Sequence, residues 1–186
     1  MKLLHHILLT ALLAGLFVSC IKDQETQLEI YQKDLKKIED YLATTDYQYI
    51  KKEQDASTGI VMLWDSLSYS GVKANGADTL KVNYVGRLLD ETVFDTNIEA
   101  VARENGMYNS DRNYAPLEVY NQKYLPGFLI ALSKMEKGDR ARVLIPSLYA
   151  YGNREYQGRI PANAVLIFDL DLRDVIKNEE ETTTEE

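Results

Sequence analysis

Leu166-Ile167-Phe168-Asp169-Leu170-Asp171-Leu172 is the stretch whose reading decides the fold class. Successive side chains of an extended chain point to opposite faces, so Leu166, Phe168, Leu170 and Leu172 share one face and Asp169 and Asp171 the other. Such a strand buries its apolar face, and its two aspartates are expected in solvent. Ala141, Val143 and Ile145 repeat the alternation upstream, as do Leu80, Val82 and Tyr84. Ile60 to Trp64 is a short apolar run, and Val93-Phe94-Asp95 reads as a further short strand. Gly71 and Gly76 lie in a loop between the first two of these. Gly127 to Met135 reads as a helix with Phe128, Leu129, Leu132 and Met135 available to one side. Gly138 ends it, because glycine tolerates the left-handed conformation past a helix. From Gly59 the order is several strands, one short helix and two strands. That order predicts an α+β domain in which a twisted antiparallel sheet wraps around a short helix.

Before this domain, Leu28, Tyr31, Leu35, Ile38 and Leu42 recur at spacings of three and four, with charged residues between them. That spacing predicts an amphipathic helix from about Lys22 to Thr45, with Asp23 or Thr26 as its cap. Its apolar stripe has two readings, packing on the neighbouring domain or dimerisation.

Lys2 precedes an apolar run from Ile7 to Val18, which ends in Phe17-Val18-Ser19-Cys20. The run is the length of a signal-peptide core and shorter than the roughly 20 residues a membrane span needs. The ending resembles the lipobox of bacterial lipoproteins, in which the cysteine is acylated and becomes the first residue. Cys20 is therefore expected to carry a lipid that anchors the chain to a membrane of the cell envelope. The outer membrane, with a periplasmic or surface-exposed domain, is the expected location. The expected division is a signal peptide at 1–19, a helix and linker at 20–55, a folded domain at 56–177, and a disordered acidic tail at 178–186.

Composition removes other chemistries. The formal charge is -8, and neither the Lys36-Lys37 nor the Lys51-Lys52 doublet makes the basic cluster that phosphate binding requires, so nucleic acid is not an expected partner. The single cysteine rules out an internal disulfide. Both histidines, His5 and His6, belong to the signal segment, which leaves almost no conventional metal site or catalytic triad, and phosphate-binding glycine loops are absent. No cofactor and no metal are expected.

Four separated segments resemble the FKBP-type prolyl isomerases, in the family's order and with closely matching spacing. They are Val82-Asn83-Tyr84-Val85-Gly86-Arg87-Leu88-Leu89 with Val93-Phe94-Asp95; Tyr124-Leu125-Pro126-Gly127-Phe128; Met135 to Val143 with Ile145-Pro146 and Leu148 to Gly152; and Ile160 to Leu172. Together they cover about the last 115 residues before the tail. The resemblance implies an apolar cleft, lined by Tyr84, Phe94, Phe128, Tyr151 and Phe168, that receives a proline ring. It implies substrate contacts from Tyr124, Leu125 and Ile160, with a backbone N–H from Leu125. Asp95 becomes the carboxylate of the cleft wall and Tyr151 the phenol that donates to a substrate carbonyl. The expected activity is rotation about peptide bonds that precede proline, the clients are proline-containing polypeptides, and the cleft is one that binds macrolide inhibitors in the family. A non-catalytic module that holds proline segments, or an envelope chaperone, is the alternative.

The chain departs from the family pattern at Phe128, where a tryptophan is common, and at Tyr156 and Arg159, where histidine and isoleucine are frequent. The segment between Asp95 and Pro116 is longer than in minimal members, and the insertion from Asn97 to Asn113 within it is expected to modulate clients without performing chemistry. Because every matched segment lies between Gly59 and Val175, the N-terminal helix is expected to be dispensable for the fold.

Overall fold

The computed structural model describes residues 25–120 and 123–178. The expected signal segment, Cys20 and residues 179–186 of the expected tail lie outside them. Seven strands form a single antiparallel sheet: β1 (Lys51–Gln54), β2 (Val61–Ser66), β3 (Thr79–Arg87), β4 (Val93–Thr96), β5 (Leu117–Val119), β6 (Arg140–Ile145) and β7 (Leu166–Ile176). The spatial order is β1-β2-β6-β7-β3-β4, with β5 also paired to β3. Among the described residues three helices accompany it: α1 (Gln27–Thr44), α2 (Glu99–Glu104) and α3 (Pro126–Ser133), with a 3₁₀ turn at Ser147–Tyr149. This is the expected α+β arrangement. Strands β1 and β5 were not anticipated, and β1 begins the sheet ahead of residue 56.

The central strand β7 carries the alternation that opened the argument. Its register sets Phe168 opposite Val143 on β6 and opposite Gly86 on β3. Met62, Trp64, Val82, Tyr84, Val143, Phe168 and Leu170 turn to one face and form a single core with Phe128 and Leu132 of α3. The opposite face is covered too. Val61, Leu63, Leu144, Val165 and Ile167 pack with Ile38 of α1, and Tyr41, Leu42 and Tyr47 close over them. Two covered faces explain why Ile60–Trp64, Val143–Ile145 and Leu166–Phe168 read as unbroken apolar runs, since every residue of such a strand is buried whichever way it points.

Helix α1 starts at Gln27, later than the expected Lys22, and Thr26 caps it. The Glu29 N–H donates to Thr26 Oγ1 at 3.2 Å and the Thr26 N–H to Glu29 Oε2 at 2.8 Å, a reciprocal pair that satisfies two free backbone donors. Along the predicted stripe Ile38 is buried and Leu28, at the tip, is 64% exposed. Gly59, at φ +69°, lies where a Cβ would collide with Leu35 and the Tyr31 hydroxyl, so the helix rests directly on that loop.

An aspartate pins this helix down. The Asp34 carboxylate is fully buried and accepts from the Ser147 N–H at 2.9 Å and from the Ser147 hydroxyl, while Lys37 Nζ reaches its other oxygen at 2.9 Å. The sequence reading made α1 dispensable for the fold; its cover of the outer face of the sheet by Ile38, Tyr41 and Leu42, and the bonds of Asp34 to Ser147, argue against that. Asp169 also departs from expectation. Half-buried, it takes two bonds from Arg142, at 2.6 and 2.9 Å, and one from Arg87 at 3.0 Å. Arg142 donates in turn to Tyr41 Oη at 2.6 Å, which ties the end of α1 to β6.

Asp34→Ala is expected to lower stability by about 1–3 kcal/mol, the cost of leaving a buried donor unpaired, with Asp34→Asn costing less. A chain beginning near Asp55 should lose its single cooperative transition, because the apolar outer face of the sheet is then uncovered. Chemical denaturation checks both; unchanged midpoints would mean that α1 lies outside the core.

Candidate active site

At the open end of the α3-facing core lies a cleft of about 350 Å³. Its lining includes all nine residues expected to contact substrate: Tyr84, Phe94, Asp95, Tyr124, Leu125, Phe128, Tyr151, Ile160 and Phe168. Cys20, the remaining expected site residue, lies outside the described residues. The floor is aromatic. Phe128 and Phe168 meet nearly at right angles with centroids 5.2 Å apart, and Phe94 meets Phe168 at 5.7 Å in the same manner. Tyr84 stands edge-on to Phe128 at 6.2 Å, and Tyr124 stacks on Phe128 at 6.3 Å. The three near-perpendicular pairs set ring edges against neighbours' faces, which favours positive hydrogens against negative π surface.

Backbone features set these rings in place. Gly86 lies beneath two of them: a Cβ there would come within 2.5 Å of Phe94 and 3.2 Å of Phe168. Pro126 opens α3 at a position where its missing N–H costs nothing, so Leu125 and Phe128 flank the helix start at the floor. Asn97 is buried and holds the strand that carries Tyr84. Its side-chain oxygen accepts from the Tyr84 N–H at 2.8 Å, and its amide donates to the carbonyls of Val82 at 3.0 Å and Ala115 at 2.9 Å.

Polar groups converge on one wall. Tyr84 Oη donates to Asp95 Oδ2 at 2.6 Å, Arg112 Nη1 to Asp95 Oδ1 at 2.6 Å, and Arg112 Nη2 to Tyr84 Oη at 3.0 Å. Both carboxylate oxygens of Asp95 are therefore engaged. Burial pushes the Tyr84 phenol well above its ordinary pKa, and the bond to Asp95 pushes it the same way. Burial also raises the Tyr151 phenol, with Tyr156 and Asp95 adding to the shift. Tyr151 stacks on Tyr156 with centroids 4.3 Å apart, and among the described residues its hydroxyl makes no hydrogen bond.

Tyr156 belongs to a hairpin that overhangs the cleft. Gln157 and Gly158 have φ of +52° and +64°, and the Arg159 N–H donates to the Tyr156 carbonyl at 3.1 Å. Two left-handed central residues with that bond make a tight primed turn. The turn places Tyr156, Gln157 and Arg159 along the cleft rim and Ile160 inside it.

Sequence reasoning missed Arg112, Asn97, Leu117, Lys123 and Gln157. Arg112 comes from the long segment expected only to modulate clients, and its bonds to Asp95 and Tyr84 brace two residues of the cleft wall from that segment. A lone arginine in a polar loop carries no local sign of this role, because its partners lie 17 and 28 residues away.

The family model described as FKBP-type peptidyl-prolyl cis-trans isomerase matches residues 71–173, more than half of the chain. The chain is 34% identical over 139 residues to the FKBP-type peptidyl-prolyl cis-trans isomerase FkpA of Aeromonas hydrophila, covering 74% of this chain and 45% of that protein. It is 33% identical over 125 residues to the outer membrane protein MIP of Legionella longbeachae, covering 64% of this chain and 48% of that protein. The chain spans about half the length of the curated relatives it matches. Among solved structures, a peptidyl-prolyl cis-trans isomerase from Pseudomonas syringae superposes with a TM-score of 0.58 at 25% identity, covering 78% of this chain and 96% of that one. FkpA from Escherichia coli gives the same TM-score and identity, covering 78% of this chain and 59% of that one. The match runs from the loop before β3 into β7 and takes in most of the residues that line the cleft, and on it the chain belongs to the FKBP-type peptidyl-prolyl cis-trans isomerase family.

Proposed function

We propose that the protein catalyses cis–trans isomerisation of X–Pro peptide bonds and assists the folding of proline-containing polypeptides in the cell envelope. The observation that carries this reading is the convergence of the family's lining residues on one aromatic cleft whose single carboxylate is already bonded within its own wall. Rotation about a peptide bond faces a barrier of about 18–20 kcal/mol, because it breaks amide resonance. The twisted amide has less charge separation than the planar one, so a dry apolar surface favours it. Catalysis is then tighter binding of the twisted form. The rings of Phe94, Phe128 and Phe168 supply that surface, while Tyr124, Leu125 and Ile160 hold the flanking chain. The Tyr151 hydroxyl serves as donor to a substrate carbonyl. Asp95, held by Tyr84 and Arg112, shapes the wall and transfers no proton. The same apolar lining suits a macrolide inhibitor.

Cys20 is proposed as a lipidated residue that holds the domain at a membrane. The relative named an outer membrane protein supports an envelope location. Cys20 lies only six positions before the cap residue Thr26, a reach of roughly 20 Å when extended, so the anchor would keep the folded domain near the bilayer. No helix of the described residues is long and apolar enough to cross a membrane.

Isomerisation of proline tetrapeptides tests the cleft. Phe168→Leu should cost the most, since it removes floor surface; Tyr151→Phe should cost about 1 kcal/mol in the transition state, several-fold in rate. Asp95→Asn should also lose several-fold and keep measurable turnover. Burial holds both phenols protonated below their raised pKa values, so the rate should stay nearly flat from about pH 6 to about pH 9. Complete loss in Asp95→Asn with the fold intact, or a bell-shaped profile centred near neutrality, would contradict the mechanism. Peptide binding without acceleration would establish the non-catalytic module instead. For the anchor, Cys20→Ser should move the full chain from the membrane to the soluble fraction and abolish metabolic lipid labelling; an unlabelled wild type rules the anchor out.

A further inference from the structure

The protein is acidic, with a formal charge of -8, yet the rim of its cleft is not. Three cations approach it: Arg112, Lys123 and Arg159. Arg112 is taken up by Asp95, with N–O contact at 2.6 Å. Arg159 differs. Its Nη1 donates to the Phe94 carbonyl at 3.3 Å and lies 3.8 Å from Met107 Sδ, and among the described residues no carboxylate forms an ion pair with it. Arg87, Arg103, Arg112, Arg140, Arg142 and Arg173 all have such partners. Arg154 and Arg159 do not, and both lie in the segment between Gly152 and Ile160 that overhangs the cleft.

The tether to Phe94 matters because it fixes where the free charge sits. A guanidinium has five N–H donors in a planar fork. Its Nη1 is engaged by the backbone carbonyl next to Asp95 and by the Met107 sulfur, which sets the head at the rim, and among the described residues Nε and Nη2 make no hydrogen bond. The primed turn at Gln157-Gly158 and the Tyr156 ring stacked on Tyr151 give the flap a defined shape from which to present it. A planar fork with free donors matches a carboxylate better than any other side chain. Among the described residues the only carboxylate lining the cleft, Asp95, is already doubly engaged and does not compete.

We infer that Arg159 makes the cleft select polypeptide segments that carry an acidic side chain beside the proline. The inference takes from the isomerase reading only the seat of the proline ring on the aromatic floor. An exposed pair of this kind is worth a modest factor, on the order of two- to fivefold, and weakens with salt.

The test uses blocked tetrapeptides with uncharged ends, carrying Glu, Gln or Lys on either side of the proline, assayed with the full mature chain. The Glu peptide should exceed the Gln peptide about threefold in kcat/KM at low salt at one flanking position, through KM, with the Lys peptide lowest. The Glu-to-Gln ratio should fall toward one at high salt and in Arg159→Ile, survive in Arg159→Lys, and invert in favour of Lys in Arg159→Glu. Glu and Gln peptides handled alike by the wild type, or a ratio unmoved by Arg159→Ile, would overturn the inference. Should no peptide be turned over, the isomerase reading fails on its own. The same series measured by calorimetric binding then decides the inference, Glu tighter than Gln supporting it and equal binding overturning it.

Discussion

Two aromatic rings meet over a residue that has no side chain, and the cleft depends on that meeting. Phe94 and Phe168 reach Gly86 from two strands that pair with β3, and a Cβ at Gly86 would collide with Phe94 and crowd Phe168. Because the rings can cross there, Phe168 is free to turn its face to Phe128 of α3, and Phe128 in turn receives Tyr84 and Tyr124. Close-packed rings do not adjust continuously, so one fixed contact sets the others. The floor is a consequence of sheet register as much as of residue type. A shift of one residue in β7 would send Phe168 to the other face and replace it with Asp169 or Ile167.

What the chain's sequence makes legible follows from how local each signal is. The alternation in β3, β6 and β7 is a property of neighbours, and so are the Pro126 start of α3 and the apolar spacing of α1. The nine lining residues could be named because the resemblance to a family carried them jointly. Asp34 shows the opposite case. It sits among lysines and glutamates on a helix and reads as solvated, and only the arrival of Ser147 from far along the chain makes it buried and bonded. Arg112 and Asn97 were hidden for the same reason. The strand β1, Lys-Lys-Glu-Gln, has no apolar face and is a strand only because β2 offers it an edge; its charges suit an edge that must not recruit another chain.

One sign was present and could have been read further. Ile60–Trp64, Val143–Ile145 and Leu166–Phe168 are continuous apolar runs and not strict alternations, which means strands covered on both sides. One helix, α3, cannot cover two faces. A second cover was therefore required, and the stripe of α1 was the available candidate. The same helix that shields the outer face also bonds, through Asp34, to the 3₁₀ turn that leads into Tyr151. Fold and cleft thus share a support that neither the helix nor the strands reveal alone.

The account stands on the claim that a dry aromatic floor accelerates rotation about the X–Pro bond without proton transfer. Exchange spectroscopy by NMR on a proline peptide, with the protein present at a small fraction of the peptide concentration, measures that directly. The account predicts cis–trans exchange cross-peaks that build up far faster than in free peptide, with the cis-to-trans ratio of the bulk peptide unchanged. Shifted peptide resonances with exchange no faster than in the protein's absence would contradict it.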